Sequence, residues 1–433
     1  MKITKNLGDA ITFHYLPTDL FTTDYFSVHF IVPLCEDAVA GYTLLTKLFK
    51  RGCRAFPSQG AFAKRLEELY ASSLSISASK QGECQMISLG MEFLASRFVF
   101  DNANVAEDAC ALLEMVLCDP YLENGFFSPE WVEREKTALK DQLRATLNDK
   151  RVYAMKRCRE VMCEGEAYSL ALEGTEERID ALTPNVLFGL YQRMLKEAQV
   201  EIFYIGRETE TVAEERARKL AASFGKRTPK FCTTIFTPTA TTVKRVTESV
   251  DALQGKLAMG FRTGITEDAS TKQKDALLLF NILYGTSPIS KLFMNVREKL
   301  SLCYYCSSVN DNQKGVMFVQ SGVENEKAEK AEAEILLQLK EIQSGNIKDG
   351  EMIAAKQAFR DLTRSVADSP YTLEQWYLKR LLLKDYRTPK EMSDAIDVLT
   401  VEDVASAARA ITLDTVFFLR GEVQNEEGTL ENV

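Results

Sequence analysis

Ile179-Asp180-Ala181-Leu182-Thr183 returns in the second half of the chain as Ile396-Asp397-Val398-Leu399-Thr400. A predicted helix follows each copy, and an apolar strand comes next, at residues 202–206 and 416–419. An interval of roughly 200 residues is too long for a solenoid repeat, so it indicates two similar domains in one chain. We therefore predict an α+β fold of two similar domains, each a mostly antiparallel sheet with helices packed on one face, that together form a clamshell.

The order of predicted elements divides the chain into three segments. Residues 1–224 are predicted to form the N-terminal domain, and residues 248–433 are predicted to form the C-terminal domain. Between them, residues 225–247 are rich in Thr, Pro and Lys and have little periodicity. Such a composition is typical of a connection, so we predict a linker there.

The composition restricts the class of protein. With 433 residues, 45% hydrophobic and 27% charged, the chain suits a soluble globular protein with two sizeable cores. A net charge of −9 without any basic stretch argues against a nucleic-acid partner. No run of 18 apolar residues and no signal-like start is found, so no membrane span is expected. Ten irregularly spaced cysteines predict reduced thiols and a cytoplasmic protein.

Three stretches carry a family resemblance. Residues 174–177 (GTEE) stand just before the first copy of the repeat, and residues 287–305 read SPISKLFMNVREKLSLCYY. Residues 48–50 (LFK) lead into Gly52 at the end of the first long helix. In this order, over essentially the whole chain, these stretches resemble the pitrilysin–insulinase metallopeptidase family, which includes the mitochondrial processing peptidases.

Active members of that family share an inverted zinc motif, His-x-x-Glu-His, on the first long helix, and a later helix supplies a third ligand, Glu. Two histidines four residues apart bind one zinc ion, and the Glu between them activates the bound water. The resemblance places Tyr42 and Thr46 at the histidine positions, Leu45 at the catalytic Glu and Gln142 at the third ligand. Because these residues do not replace imidazole or carboxylate, we predict neither a zinc ion nor a catalytic residue in this chain.

The only two histidines offer no substitute for this site. His14 and His29 both fall in predicted strands, far from the helix of the degenerate motif, and we expect them to be structural or solvated. No Ser-His-Asp or Cys-His constellation is recognisable around them in the sequence. An enzyme of unrelated mechanism is therefore the least favoured hypothesis.

The resemblance also implies a substrate-binding pair in the second half. Arg297 and Tyr304 match an Arg/Tyr pair that family members carry in the second domain, facing the zinc across a cavity. A guanidinium and a phenol can donate hydrogen bonds to substrate carbonyls or to a terminal carboxylate. The aligned residues of the first half are Glu67 and Leu74. The residues alone leave open that Arg297 forms a surface ion pair with Glu298 and that Tyr304 is a buried strand aromatic.

Two neighbours of Tyr304 need a separate interpretation. Tyr305 would replace Tyr304 at the site if the strand slipped by one residue, because side chains alternate between faces. Cys303 and Cys306 form a Cys-x-x-Cys motif, but residues three apart on a regular strand point to opposite faces. We therefore expect neither a shared metal ion nor a redox pair at these cysteines.

The difference between the halves suggests a function. One half lacks the zinc ligands, whereas the other keeps the Arg/Tyr pair, and several family members work as heterodimers of a zinc-bearing and a zinc-free chain. The sequence is similar to the zinc-free bacterial partners, some of which are named for the 5-aminopentanol modification of elongation factor P. The resemblance implies a non-catalytic, substrate-recruiting subunit that binds peptides together with a zinc-bearing paralogue, zinc being expected in that partner only.

An alternative function remains open at this stage. The chain could be a peptidase-fold scaffold or a peptide-binding protein without a proteolytic role, comparable to the structural processing-peptidase homologues of respiratory complexes. In that case Arg297 and Tyr304 would be dispensable. The sequence also leaves open whether the isolated chain forms a homodimer, and which peptide it binds.

Overall fold

The computed structural model describes residues 2–101, 103–266, 268–424 and 430–432. The chain divides into two compact units, and each unit contains its own sheet. The first unit comprises Met1–Arg144, Leu170–Thr233 and Ala367–Gln375, and the second comprises Ala145–Ser169, Thr234–Val366 and Trp376–Val433.

Both units contain runs of strands and runs of helices. The strands of the described residues are, in chain order, β1 (Ile3–Gly8), β2 (Ile11–Pro17), β3 (Thr23–Pro33), β4 (Ser73–Gln81), β5 (Cys84–Leu94), β6 (Leu122–Glu123), β7 (Phe126–Phe127), β8 (Gln199–Gly206), β9 (Lys244–Asp251), β10 (Gly255–Arg262), β11 (Cys303–Asp311), β12 (Val316–Val323), β13 (Thr412–Gln424) and β14 (Leu430–Asn432). The α-helices are α1 (Val39–Phe49), α2 (Gln59–Glu68), α3 (Val105–Cys118), α4 (Pro129–Asn148), α5 (Lys150–Met162), α6 (Glu176–Asp180), α7 (Pro184–Glu197), α8 (Glu210–Ala222), α9 (Thr271–Asn281), α10 (Ala328–Gln343), α11 (Asp349–Ser365), α12 (Pro370–Leu381), α13 (Pro389–Asp397) and α14 (Val401–Arg409). Two π-helices, Ile282–Thr286 and Leu292–Lys299, follow α9.

The two sheets have the same plan, which confirms the predicted α+β fold of two similar halves. In the first unit the strand order is β1-β2-β8-β3-β5-β4, and β2 pairs parallel with β8 while the other pairs are antiparallel. In the second unit the order is β11-β12-β10-β13, with β9 parallel to β13. Strands β2, β8, β3, β5 and β4 therefore correspond to β9, β13, β10, β12 and β11.

The repeated pentapeptide forms the same local structure in both units. Thr183 is the N-cap of α7 and accepts the backbone N–H of Val186, and Thr400 is the N-cap of α14 and accepts that of Asp403. A capping hydroxyl satisfies one of the free amides at the start of a helix. The isoleucines that begin the two copies are fully buried. The repeat thus combines a helix start with one apolar anchor.

The core of the first unit lies between the sheet and its helices. Alternate residues of β3, Phe26, Val28 and Phe30, point into a large apolar cluster with residues of α1, α3 and α7. In the second unit, α5 packs on β10 and β13 and buries a smaller cluster that includes Met162 and Phe417. Across the described residues, no helix combines the length and the apolar character that a membrane crossing requires.

The two units do not follow the predicted boundaries throughout. Residues 145–169 belong to the second unit, whereas residues 367–375 belong to the first. Residues 244–247 of the predicted linker lie in β9. Exposed and half-buried residues alternate along β9, so its sequence lacks the apolar run that would predict a strand.

Candidate functional site

The helix that should carry the zinc motif is part of the apolar core. Tyr42 and Leu45 on α1 are 2% and 0% exposed and lie in the core cluster of the first unit. Burial raises the pKa of the Tyr42 phenol to about 12. The Thr46 hydroxyl donates to the carbonyl oxygen of Thr43 at 2.7 Å, within its own helix. Tyr42 therefore presents a protonated phenol, Leu45 an apolar side chain, and Thr46 a hydroxyl that is already hydrogen-bonded.

The fourth motif position is part of a surface bridge. The Gln142 amide accepts a hydrogen bond from Lys47 Nζ at 3.3 Å and donates one to Glu173 Oε1 at 3.1 Å. Zinc in proteins takes imidazole, thiolate or carboxylate ligands, and the four positions supply none of these. The residues do not fit the family's zinc ion. In the part of the chain that the structure describes, no three His, Cys, Asp or Glu residues gather as a metal site would need.

Both histidines are buried and each is bonded to a buried carboxylate. His14 Nε2 lies 2.7 Å from Glu201 Oε2, and His29 Nε2 lies 3.0 Å from Glu374 Oε1. Both rings are 1% exposed. Their positions on the sheet of the first unit are structural, as expected for isolated histidines.

One arrangement around His29 leaves no signal in the sequence. Ser88 Oγ lies 2.8 Å from His29 Nδ1, so Ser88, His29 and Glu374 form a hydrogen-bonded chain. Glu374 stands 345 residues after His29, which is why no local motif reveals it. On β5 the residue Ser88 is paired with His29 on one side and Ser77 on the other, so the ladder uses the neighbouring backbone N–H groups.

Because the ladder occupies the backbone N–H groups around Ser88, they cannot form an oxyanion hole, and the chain of bonds is not a nucleophilic site. Ser27 also donates to Glu374, which is fully buried. We conclude that this network holds the segment 367–375 on the sheet of the first unit. Its polar groups satisfy one another in a region from which water is excluded.

The burial of His14 lets us predict how the free energy of unfolding depends on pH. Burial lowers its pKa below the usual value, although Glu201 acts in the opposite direction. The unfolded chain therefore binds a proton near pH 6.5 before the folded protein does, and stability falls as the pH drops below about 6.5. We expect the urea midpoint to decrease from pH 7 to pH 5.5, and the decrease to be smaller in His14→Gln. An equal slope in both proteins would contradict this assignment.

The second unit places Arg297 at the end of a π-helix with an accessible guanidinium. Its side chain is 42% exposed, and its Cζ lies 4.6 Å from the ring centre of Phe293. The ion pair with Glu298 is present at 3.5 Å, but both side chains are exposed. Exposed ion pairs contribute little to stability, so Glu298 does not account for the position of Arg297.

Tyr304 is the extra residue of a β-bulge in β11. Cys303 pairs with Val323, and Tyr305 already pairs with Gly322, so Tyr304 has no partner in the register. Its side chain is exposed, and its hydroxyl donates to Glu324 Oε1 at 3.4 Å. A bulge bends the strand and redirects a side chain. Tyr304 is therefore a surface residue and not the buried aromatic that the residues alone left open.

Tyr305 has the opposite environment. Its ring lies against Gly322, where an added Cβ would be 2.5 Å from the ring. The guanidinium carbon of Arg151 lies 4.4 Å from the centre of the same ring. Burial raises the pKa of Tyr305 to about 12. Tyr304, and not Tyr305, is thus available to a ligand.

Arg297 and Tyr304 are linked by a tight connection. Backbone hydrogen bonds run from Ser301 N to Arg297 O at 3.1 Å and from Leu302 N to Val296 O at 3.0 Å. The chain then enters β11, which is an edge strand of the second sheet. An edge strand offers free backbone groups to an added strand, and nearby donors add polar contacts. The arrangement therefore places two exposed hydrogen-bond donors next to an edge strand.

The prediction that Cys303 and Cys306 point to opposite faces of the strand is wrong. Cys303 pairs with Val323 and Cys306 with Ser321, two residues along the same partner strand. The bulge at Tyr304 adds one residue between the cysteines, so both thiols point to the same face of the sheet. A bulge gives no signal in the sequence here, since Tyr304 and Tyr305 are equally typical of a regular strand.

Comparisons with known proteins agree with this geometry. A family model described as "Peptidase M16 inactive domain" matches residues 181–359. A Bacillus subtilis (strain 168) protein named "Probable inactive metalloprotease YmfF" is 28% identical, with 96% of this chain and 97% of that protein covered. The crystal structure of a conserved protein from Enterococcus faecalis V583 is 29% identical, has a TM-score of 0.89, and covers 98% of this chain and 100% of its own. The structure of a peptidase M16 inactive domain from Pseudomonas fluorescens, 17% identical, shares the fold with a TM-score of 0.79, covering 98% of both chains.

Proposed function

We propose that this chain, a zinc-free member of the pitrilysin–insulinase (peptidase M16) family, is the substrate-recruiting subunit of a two-chain peptidase. In this proposal a zinc-bearing paralogue performs the hydrolysis. The present chain contributes the Arg297 and Tyr304 side chains and the β11 edge to the binding of an extended peptide. It has no catalytic residue of its own.

One observation carries the proposal. Tyr42 and Leu45, which stand at the zinc-motif positions, are buried in an apolar core. Arg297 and Tyr304, in contrast, are exposed beside the edge strand β11. Decay without selection for binding gives no reason to keep two exposed donors at a bulge. A guanidinium and a phenol next to free backbone groups suit a peptide carbonyl or carboxylate.

The remaining parts of the proposal concern partners and location. Zinc is assigned to the paralogue alone, because the present residues do not fit it. All ten cysteines, which lie within the described residues, are free thiols, and this supports a reducing, cytoplasmic setting. Pairing of two copies of this chain, in the absence of the paralogue, is part of the same proposal.

The first test is recovery of the partner. The tagged protein is purified under native conditions from its own host, and the associated proteins are identified by mass spectrometry. Stoichiometric recovery of a similar-sized chain with His-x-x-Glu-His supports the proposal. Recovery of the protein by itself, or with unrelated proteins only, favours the scaffold function instead.

Arg297→Ala should lower the peptidase activity of the reconstituted complex. Loss of a charge-assisted donor at a substrate carbonyl costs roughly 100-fold in kcat/KM. We expect the effect with several peptides, while size-exclusion chromatography shows an unchanged complex. The matched control is Arg364→Ala, which removes an arginine that is 75% exposed in the same unit. Unchanged turnover in Arg297→Ala with every peptide would exclude the assigned role.

A further inference from the structure

The bulge in β11 creates a close pair of cysteines. Cys303 and Cys306 stand opposite Val323 and Ser321, which are two residues apart on β12. Two strand residues span about 6.6 Å, so the two cysteine Cα atoms are separated by about the same distance. Disulfides span Cα distances of roughly 4.4–6.8 Å, so the backbone geometry admits a bond between the two sulfur atoms.

The surroundings of the pair favour a thiolate on one member. Cys303 and Cys306 are 9% and 5% exposed, and the Ser321 hydroxyl is within hydrogen-bonding reach of both thiols. A hydrogen bond from Cys306 lowers the pKa of Cys303 to about 7, against the effect of burial, and the charge of Arg297 acts in the same direction as Cys306. The pKa of Cys306 is raised well above its usual value by the same hydrogen bond and by burial.

We propose that Cys303 and Cys306 form a peroxide-sensitive thiol pair, in which Cys303 is the reacting thiol and Cys306 closes an intrachain disulfide. The bulge supplies the geometry, because it places both thiols on one face. The proposal is independent of the peptidase function, since it concerns the thiols alone. The proposal applies to Cys303 and Cys306 and not to the other eight cysteines.

The reaction balances with hydrogen peroxide as the oxidant. The Cys303 thiolate attacks one peroxide oxygen, the O–O bond breaks, and hydroxide leaves and takes up a proton from solvent. Cys303 is then a sulfenic acid. The Cys306 sulfur attacks the Cys303 sulfur, its proton leaves with the hydroxyl group as water, and the S–S bond forms. Two thiols and one peroxide thus give one disulfide and two waters.

The disulfide would close a small ring around Tyr304 and Tyr305. That ring contains the bulge, so its backbone loses freedom on oxidation. Other cysteines provide internal comparisons. Burial raises the pKa of Cys110 and Cys118 to about 12, so these thiols carry little thiolate at neutral pH.

The sequence makes the product easy to measure. Trypsin cleaves after Lys299 and Lys314, and the peptide 300–314 contains Cys303 and Cys306 but no other cysteine. The folded protein is treated with hydrogen peroxide at pH 7, remaining thiols are blocked with N-ethylmaleimide, and the digest is analysed by mass spectrometry without reductant. We expect this peptide to lose two hydrogens and escape alkylation at peroxide doses that leave Cys110 and Cys118 reduced.

Two variants assign the roles. In Cys306→Ser, dimedone should trap a sulfenic acid at Cys303, whereas in Cys303→Ser the remaining Cys306 should stay reduced. Thermal melts of both variants check folding, and the wild-type result stands without them. If the wild-type peptide stays reduced while Cys110 or Cys118 is oxidised, the proposal is overturned. Oxidation of Cys306 in Cys303→Ser at the same dose would overturn the assignment of the reacting thiol.

Discussion

Leu45→Glu should lower the free energy of unfolding by about 4 kcal/mol, because it buries a carboxylate without a partner. Leu45 is 0% exposed and lies in the core cluster of the first unit, on the helix that carries the zinc motif in active relatives. At this position the carboxylate would act as a catalytic Glu only if the helix faced an open site. We therefore expect the variant to unfold early in urea and to bind no zinc.

The matched control for Leu45→Glu is Lys50→Glu. Lys50 is exposed at the C-cap of the same helix, and the same new residue should change stability by less than about 1 kcal/mol there. Urea midpoints at pH 7, followed by circular dichroism, compare the two. If Leu45→Glu were as stable as wild type, position 45 would have to be accessible, and its assignment to the apolar core would fail.

Glu166→Ala is expected to lower the free energy of unfolding by about 3 kcal/mol. The carboxylate lies 2.5 Å from Lys314 Nζ and 3.2 Å from Arg262 Nη2. The side chain of Lys314 is 0% exposed and that of Arg262 is 3% exposed. Arg262 keeps Asp414 at 2.8 Å, but the buried ammonium of Lys314 loses the Glu166 carboxylate. The large loss of stability thus comes from the buried positive charge of Lys314, which no longer has the Glu166 carboxylate beside it.

Glu164→Ala is the control for Glu166→Ala. Glu164 is 82% exposed and lies 3.7 Å from Lys244, so its removal should cost less than about 1 kcal/mol. Differential scanning calorimetry of both variants separates the two expectations. Equal melting temperatures would mean that the buried ion pairs do not hold the segment 145–169 in the second unit.

The sequence was sufficient for the fold class. A repeated pentapeptide with a capping Thr is a local signal, and the structure uses Thr183 and Thr400 in the same way. The identities of Tyr42 and Leu45 predict that they are not zinc ligands, because neither side chain is an imidazole, a thiolate or a carboxylate. Such conclusions depend on residue type and short-range spacing, which the sequence records directly.

Other features depend on contacts that the sequence does not record. Glu374 reaches His29 across 345 positions, and no pattern links them. The bulge at Tyr304 adds one residue to a strand of ordinary composition, and it changed the predicted relation of Cys303 to Cys306. Strand β9 has no continuous apolar run, because exposed and half-buried residues alternate along it. In each case a partner distant in the sequence, and not the local sequence, determines the structure.

The assignment of residues 145–169 and 367–375 to opposite units has a consequence for protein synthesis. The first unit includes residues 367–375, so this unit lacks one of its segments until most of the chain has left the ribosome. An N-terminal fragment that ends in the 225–247 region would lack residues 367–375. It would also keep α5 without the strands β10 and β13 on which this helix packs. We expect neither half to fold when expressed separately. Coexpressed halves would have to exchange these segments, so the gene behaves as one folding unit despite its internal duplication.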